Sequence, residues 1–288
     1  MRIKTTIPER IFQVFNYCLL TLLSIVCLYP LWHVFMASLT SSTSLLGHSG
    51  MMLLPPDFSW EAYIAVLEHD LLWVGYKNTI IYVVELTVLQ MAMTCFAAYF
   101  FSRRSMLRRP MMLMVMFTMY FSGGIVPFYL TLREFGLLGT RMSVIIPFCI
   151  STYNTIVLRT AFESIPDGLI EAAEIDGASQ LGIMWKISIP LSKASLAVIT
   201  LYYAVHSWNS YFWQDILLKE RNDRLLQPIL RDILIENQLE GDMMDPGMVT
   251  SEGLKYACIM CATIPILMIY PYLQKYFTKG VMIGAVKG

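Results

Sequence analysis

The sequence predicts an all-α integral membrane protein of six transmembrane helices, and three observations carry that prediction. Of its 288 residues 56% are hydrophobic and only 15% charged, with a mean hydropathy of +0.56; a soluble domain has no core large enough to take in so much apolar side chain. The apolar residues come in unbroken runs of roughly 20, the length of helix that crosses a bilayer, and not in the short alternating strands of a membrane barrel. Lys and Arg fall on alternate connections, as they do when every second loop stays in the cytoplasm. The formal net charge is zero and gives no pointer to nucleic acid.

The first run, Ile11 to about Ala37, follows a short basic stretch with Arg2, Lys4 and Arg10. It is too long for a signal-peptide core and reads as a retained span, with Pro30 as its expected kink. Ser38 to Tyr76 is polar and turn-rich and is assigned to the outer side, where Trp60 and Trp73 suit an interfacial belt. The second span covers Asn78 to Phe101. Ser102 to Arg109 then carries four arginines, the clearest inner marker in the chain. The third span, Met111 to Leu130, is interrupted by Gly123-Gly124 and Pro127 and is expected as a broken helix. A short outer turn over 132–141 leads to the fourth span, Met142 to Thr160.

The polar segment Ser164 to Ser192 comes next, on the inside, and reads as a helix-turn-helix. Ser164 is expected to cap the first helix near Ile165, with Asp167 completing a capping box and Pro166 tolerated in the first turn. Ala172 and Ala173 flatten one face beside Leu169 and Asp176, Glu171 and Glu174 project from its flanks, and Gly177 ends it as a C′ glycine. A second short helix, Ser179 to Ile189, carries Leu181, Met184 and Trp185 before Pro190 closes it. The fifth span is Ala194 to Trp213. An acidic outer loop over 214–253 contains a helix, Leu225 to Gln238, expected to lie on the surface, and a flexible connection at Gly241 to Gly247. The sixth span is Lys255 to Leu273, and the tail 274–288 returns inside, so both termini are cytoplasmic. Arg103, Arg104, Arg108, Arg109, Lys186, Lys193, Lys275, Lys279 and Lys287 all fall on the inner side of this scheme, with Arg159 at its edge. The whole of 1–288 is read as one transmembrane domain.

Cys18, Cys27, Cys95, Cys149, Cys258 and Cys261 all lie inside apolar runs and read as reduced packing residues. His33, His48, His69 and His206 are scattered, and no metal site is expected.

Glu171-Ala172-Ala173, Asp176-Gly177-Ala178 and Ile189-Pro190-Leu191 together resemble the EAA loop of ATP-binding-cassette importer permeases: E-A-A, a Gly six residues after the Glu, and an apolar-Pro pair beyond it. The resemblance extends to Tyr120 to Pro127, Phe135 to Thr140, Tyr203 to Ser210 and Gly280 to Gly288, which are similar to the smaller permease subunit of maltose-type (type I) carbohydrate importers. Within that branch the F-S-G-G and W-N-S segments resemble subunits serving larger oligosaccharides, some of them acidic. Two positions depart: Met184 stands where the family usually has Phe, and Ala194 where it has Pro. Met fills a similar apolar slot, and Ala194 is expected to let the fifth span begin earlier and straighter.

The resemblance implies the type I importer fold in a bacterial cytoplasmic membrane, a second homologous permease subunit, two copies of an ATPase, an extracellular substrate-binding protein and an oligosaccharide substrate. The EAA helix would rest in a cleft of one ATPase, with Glu171, Ala172, Ala173, Asp176, Gly177, Met184 and Pro190 carrying the coupling. The chain itself is expected to catalyse nothing and to hold no cofactor. It has no nucleophile-base-orienter set and no phosphate-binding glycine loop with Lys, so ATP and Mg would sit on the partner ATPase. Tyr153 and Asn154 of the fourth span and Trp208, Asn209, Tyr211 and Trp213 of the fifth are candidates for the sugar path, because aromatic faces stack on sugar rings and amides bind hydroxyls. Packing and interfacial anchoring are the other roles such aromatics take.

Glu85 is an intramembrane carboxylate, costly unless it faces water or a partner, and is assigned to the pathway or to a subunit interface. It also supports a competing class, a stand-alone proton-coupled carrier. A third class, a membrane scaffold that binds a soluble ATPase, would explain the loop but not the acidic outer segment.

Overall fold

The structure, a computed structural model, describes residues 7–48, 50–218, 220, 222–240 and 251–285, with 236–240, 251 and 270–285 as backbone only. The charges assigned at Arg2, Lys4 and Lys287 and the connection at Gly241 to Gly247 lie outside these residues. The described chain is helical almost throughout, with one isolated bridge between Thr40 and Phe58. It divides into two units, Met1–Asp70 with Leu230–Ile264, and Leu71–Ile229 with Pro265–Gly288.

The first unit is built on α1 (Ile7–Ser38), which is exposed along its apolar length and buried only at Met36, Ala37 and Ser38. Pro30 lies within it without ending it. Two short helices, α2 (Ser42–Gly47) and α3 (Glu61–Leu67), occupy the stretch expected to be turns. The Ser38 and Tyr63 hydroxyls share a 2.8 Å hydrogen bond, and the Met52 N–H donates to the Tyr29 hydroxyl at 3.1 Å. A small core of Met36, Ala37, Leu45 and Met52 closes against Phe35 and Tyr256.

In the second unit α4 (Asp70–Ser102) is the spine and begins eight residues earlier than Asn78, where the span was expected. It carries one apolar cluster near its middle and one towards its C-terminus. Tyr82 and Leu86 pack with Leu132, Val144, Ile145, Leu217, Leu218 and Leu225. Cys95, Ala98 and Tyr99 pack with Leu158, Phe162, Ile165, Ile170, Ile183, Met184, Ile199 and Tyr203.

The remaining apolar runs are bent. The run after the arginine loop forms α5 (Arg108–Tyr120) and α6 (Ile125–Glu134), which meet at 115°. The break falls at the expected glycine pair, and Gly124 has a φ of +87°, a conformation that costs a residue with Cβ about 1–2 kcal/mol. The next run forms α7 (Met142–Ile145), continued by a 3₁₀ turn to Phe148, and α8 (Thr152–Glu163), bent by 44°. A break in apolar surroundings frees backbone groups that must be satisfied by neighbours. Here Gln90 of α4 donates to the Phe148 carbonyl at 2.8 Å, and the Ser151 N–H donates to the Tyr203 hydroxyl, itself 2.6 Å from Thr94 Oγ1. α1, α4 and residues Glu252–Ile269 are each long and apolar enough to cross a membrane, and three bent pairs pass the same test, which makes up to six spans among the described residues.

One further boundary differs from expectation. The fifth run ends with α12 (Lys193–Asn209), and Ser210-Tyr211 turns the chain into a separate α13 (Phe212–Leu217), so Trp213 lies beyond the span. In the outer segment α14 (Leu226–Glu240) buries Leu226, Ile229, Leu230 and Ile233 on one face while Arg231 and Ile235 are exposed. The chain entering it is held by α4: Asn78 Nδ2 donates to the Asn222 and Arg224 carbonyls, and the Leu226 N–H donates to Thr79 Oγ1 at 2.8 Å. The last helix, α15, runs over Ser251–Ala285.

α4 and α14 meet at Gly75, where an added Cβ would stand 2.6 Å from Ile229 Cδ1 and 3.2 Å from Leu226 Cα. Gly75→Val should therefore overpack the contact and cost about 1–3 kcal/mol. A lowered thermal midpoint of the purified protein checks this, and an unchanged midpoint would show that the helices can separate without loss.

Candidate functional site

The polar loop is built outward from the apolar cluster around Tyr99. α8 ends at Glu163, and Ser164 closes it: its backbone stays helical, its N–H bonds the Thr160 carbonyl and its hydroxyl donates to the Ala161 carbonyl at 2.8 Å. The capping box expected at Ser164 is therefore not formed, since the serine is spent on the preceding helix. α9 (Asp167–Ile175) begins two residues later than Ile165, with Pro166 at its N-cap and Asp167 paired instead with Arg104 at 3.2 Å.

Ile170 is the buried residue of α9, so Glu171, Ala172, Glu174 and Ile175 project outward while Ala173 is half-buried. The C-terminus is a Schellman motif. Gly177 has a φ of +78°, its N–H bonds the Glu174 carbonyl at 3.0 Å, and the Ala178 N–H reaches the Ala173 carbonyl at 2.9 Å. Ser179 then caps α10 (Gln180–Ile183), its hydroxyl accepting from the Gly182 N–H at 3.1 Å.

The second arm does not stop at Ile189. It widens into a π turn over Met184–Ser188 and continues as α11 (Ile189–Leu191). Pro190 lacks an N–H and its ring would collide with the Lys186 carbonyl in a regular helix; a wider turn just before it relieves that collision. The break comes at Ser192, where the chain bends by 86° into α12.

Five of the loop residues expected to couple, Glu171, Ala172, Asp176, Gly177 and Pro190, are exposed. Met184 is not: it has 0% exposure inside the cluster with Ile183, Phe162 and Tyr99, and it anchors the loop rather than presenting a surface. The exposed apolar side chains are Ile175, at 86%, with Leu169, Leu181, Trp185 and Leu191. Ile175 was not picked out from the sequence, because an Ile four residues after Glu171 fits an inward stripe as well as an outward one.

A groove of about 760 Å³ runs beside α9 between Tyr99, Arg103, Arg104, Glu171, Glu174 and Gln180. The Tyr99 hydroxyl donates to Gln180 Oε1 at 2.7 Å, and Gln180 Nε2 donates to Glu174 Oε1 at 2.8 Å, which ties both arms of the loop to the spine. The Arg103 guanidinium lies 4.8 Å from the centre of the Tyr99 ring.

The residues nominated for a sugar path are not gathered in one place. Asn154 is buried in the first turn of α8, its N–H capped by Ser151, whereas its neighbour Tyr153 is exposed. Trp208 is buried with its ring 6.3 Å from Tyr76, and Asn209 bonds the Val205 carbonyl. Trp213 packs against Phe128 at 4.4 Å and Phe148 at 6.2 Å, while Tyr211 is exposed in the break before it. Glu85 pairs with Arg141 at 3.2 Å, and the same guanidinium donates to the Asn78 carbonyl. Among the described residues no group of His, Cys, Asp or Glu could hold a metal.

The all-helical chain thus carries a polar helix-turn-helix among its bent apolar runs, and its relatives are membrane permeases. Residues 90–283 match the binding-protein-dependent transport system inner membrane component, and the chain belongs to that family. It is 36% identical over 285 residues, 97% of this chain and 99% of the relative, to the polygalacturonan/rhamnogalacturonan transport system permease protein YtcP of Bacillus subtilis (strain 168). It is 35% identical over 283 residues to protein LplC of the same organism, covering 97% of this chain and 96% of that protein. In structure it is similar to a chain of a bacterial ABC transporter involved in the import of the acidic polysaccharide alginate, with a TM-score of 0.84 at 35% identity over 96% of this chain and 99% of that one. The fold is that of a type I ABC importer permease.

Met184→Ala should empty a fully buried site and cost about 2–5 kcal/mol. Trp185→Ala, at an exposed position, should leave the thermal midpoint of the purified protein unchanged. The reverse order would place Met184 on the loop surface.

Proposed function

We propose that this chain is the smaller permease subunit of an ATP-driven importer of oligosaccharides derived from acidic polysaccharides. It forms one transmembrane domain of six spans in a bacterial cytoplasmic membrane, with both termini inside. It works with a second permease subunit, two copies of an ATPase that bind ATP and Mg, and an extracellular binding protein that delivers the sugar. The observation that carries this reading is α9, held rigidly by the Schellman turn and by Ile170, with Glu171, Ala172 and Ile175 facing outward. The small Ala172 allows close approach, Ile175 offers apolar area, and Glu171 offers a charge for a basic residue of the ATPase cleft. The substrate class rests on similarity to permeases whose names carry polygalacturonan, rhamnogalacturonan and alginate.

ATP hydrolysis moves α9, and the bent spans beyond it open the path alternately to either side. The exposed Tyr153, Asn209 and Tyr211 are the side chains of this chain placed to meet sugar, whereas Asn154, Trp208 and Trp213 hold the walls behind them. The Glu85–Arg141 pair supplies the partner that an intramembrane carboxylate needs.

The test is reconstitution of the assembled importer, with ATPase activity and uptake measured against acidic and neutral oligosaccharides. Hydrolysis should rise with the loaded binding protein, and uptake should need ATP; uptake driven by a proton gradient alone would replace this reading with the carrier. Glu171→Lys should insert normally but abolish uptake, since breaking a desolvated interfacial charge pair costs about 2–5 kcal/mol. Normal uptake by a well-expressed Glu171→Lys protein would remove α9 from the coupling step.

A further inference from the structure

A second groove, of about 930 Å³, shares Arg104, Ser105 and Arg108 with the coupling groove, and its lining pairs one kind of chemistry with another. Arg104, Arg108 and Arg109 enter it from the loop and the start of α5, and Arg159 enters from α8. Two carboxylates face these four cations. Glu163 takes both Arg108 and Arg159 on the same oxygen, and Asp167 pairs with Arg104 at an exposed position. Arg109 makes no ion pair among the described residues, so the group retains two positive charges beyond its carboxylates. The N-terminus of α5 opens into the same place without a side-chain cap and adds the positive end of its dipole.

Apart from Ser105 the rest of the lining is apolar, with Met106, Met112, Leu113 and Met116. Leu113 and Met116 begin a stripe that continues along α5 through Phe117 and Tyr120, at i, i+3, i+4 and i+7. Leu113, Phe117 and Tyr120 are exposed. The stripe extends for roughly 10 Å from the cations, at 1.5 Å of rise per residue.

We propose that this groove is a binding site for an anionic phospholipid, whose phosphodiester sits among Arg108, Arg109 and Arg159 and whose acyl chain lies along Leu113, Met116, Phe117 and Tyr120. A guanidinium fork matches two phosphate oxygens, and an excess of cations just above an exposed apolar face selects an anionic head joined to a long apolar tail. A free phosphate would use the arginines and leave the stripe bare. A neutral lipid would use the stripe and leave two charges uncompensated. The placement at the inner headgroup level rests on the orientation proposed above, but the site itself does not.

The assembled importer, purified in detergent, is equilibrated with equal amounts of phosphatidylglycerol and phosphatidylcholine of matched chains, and retained lipid is read by native mass spectrometry. Retention is read on the purified assembly and is independent of which side the loop faces and of whether sugar is transported. Phosphatidylglycerol should be retained in preference. Arg109→Gln should lower its retention about fivefold, the scale of one Arg at an anionic surface, while Arg109→Lys keeps most of it. An unchanged thermal midpoint of Arg109→Gln shows that the fold is intact. Equal retention of both lipids, no effect of Arg109→Gln, displacement of the lipid by millimolar inorganic phosphate, or an efficient cross-link from a cysteine placed at Arg109 to the partner permease would each overturn the assignment.

Discussion

The polar loop over 164–192 is only as stiff as the burial of Ile170, Ile183 and Met184 against Tyr99 and Phe162. These residues come from both arms of the loop and from two spans, so one apolar cluster fixes the position of the whole polar segment on α4. Burying a Leu-, Ile- or Met-sized side chain contributes about 1.5–3 kcal/mol, more than the exposed Arg104–Asp167 pair can supply. The hydrogen bonds from Tyr99 to Gln180 and from Gln180 to Glu174 then set direction rather than strength. A force applied at Glu171 or Ile175 is thereby delivered to α4 and α8, and not lost in a hinge at the loop's own ends.

Beyond that cluster the chain must accommodate its bends, and two of them show how. At the α5–α6 break the glycine pair makes the turn. At the α7–α8 break, Gln90 and Tyr203 take up the freed Phe148 carbonyl and Ser151 N–H. Tyr203 belongs to α12, the helix into which the polar loop runs, and Thr94 belongs to the spine. A rotation of α12 relative to α4 therefore strains the same hydroxyl that holds the break in α8. The polar side chains among the spans act as a linkage as well as glue.

The sequence made some of this legible because certain residue types have few alternatives. Gly177 could be read as a helix end because a left-handed C′ position favours glycine, and the Gly123-Gly124 break for a similar reason. The pairing of runs with charged loops was visible because charge is costly in hydrocarbon wherever the chain folds. What stayed hidden were choices between two local solutions. Ser164 could cap either the helix before it or the one after it, and only the backbone at Ser164 decides. Met184 and Trp185 are adjacent apolar residues, and the π turn that contains both sets which faces the core. Trp213 looked like the end of a span because nothing local marks Ser210-Tyr211 as a break, whereas its packing against Phe128 and Phe148 is tertiary.

Charge placement in the second unit follows one rule with one departure. Glu85, set within a span, is answered by Arg141, and Glu163, at the end of α8, is answered twice, by Arg108 and Arg159. Asp215 is answered by Arg224 at 2.9 Å. In each case the carboxylate has its guanidinium from a distant turn or helix, or one turn away, so the ion pairs also fix which segments lie side by side. Glu163 and Asp167 together answer Arg104, Arg108 and Arg159, and Arg109 is the cation left over among the described residues. The anionic phospholipid proposed above answers that excess with its headgroup and covers the apolar stripe of α5 with its tail.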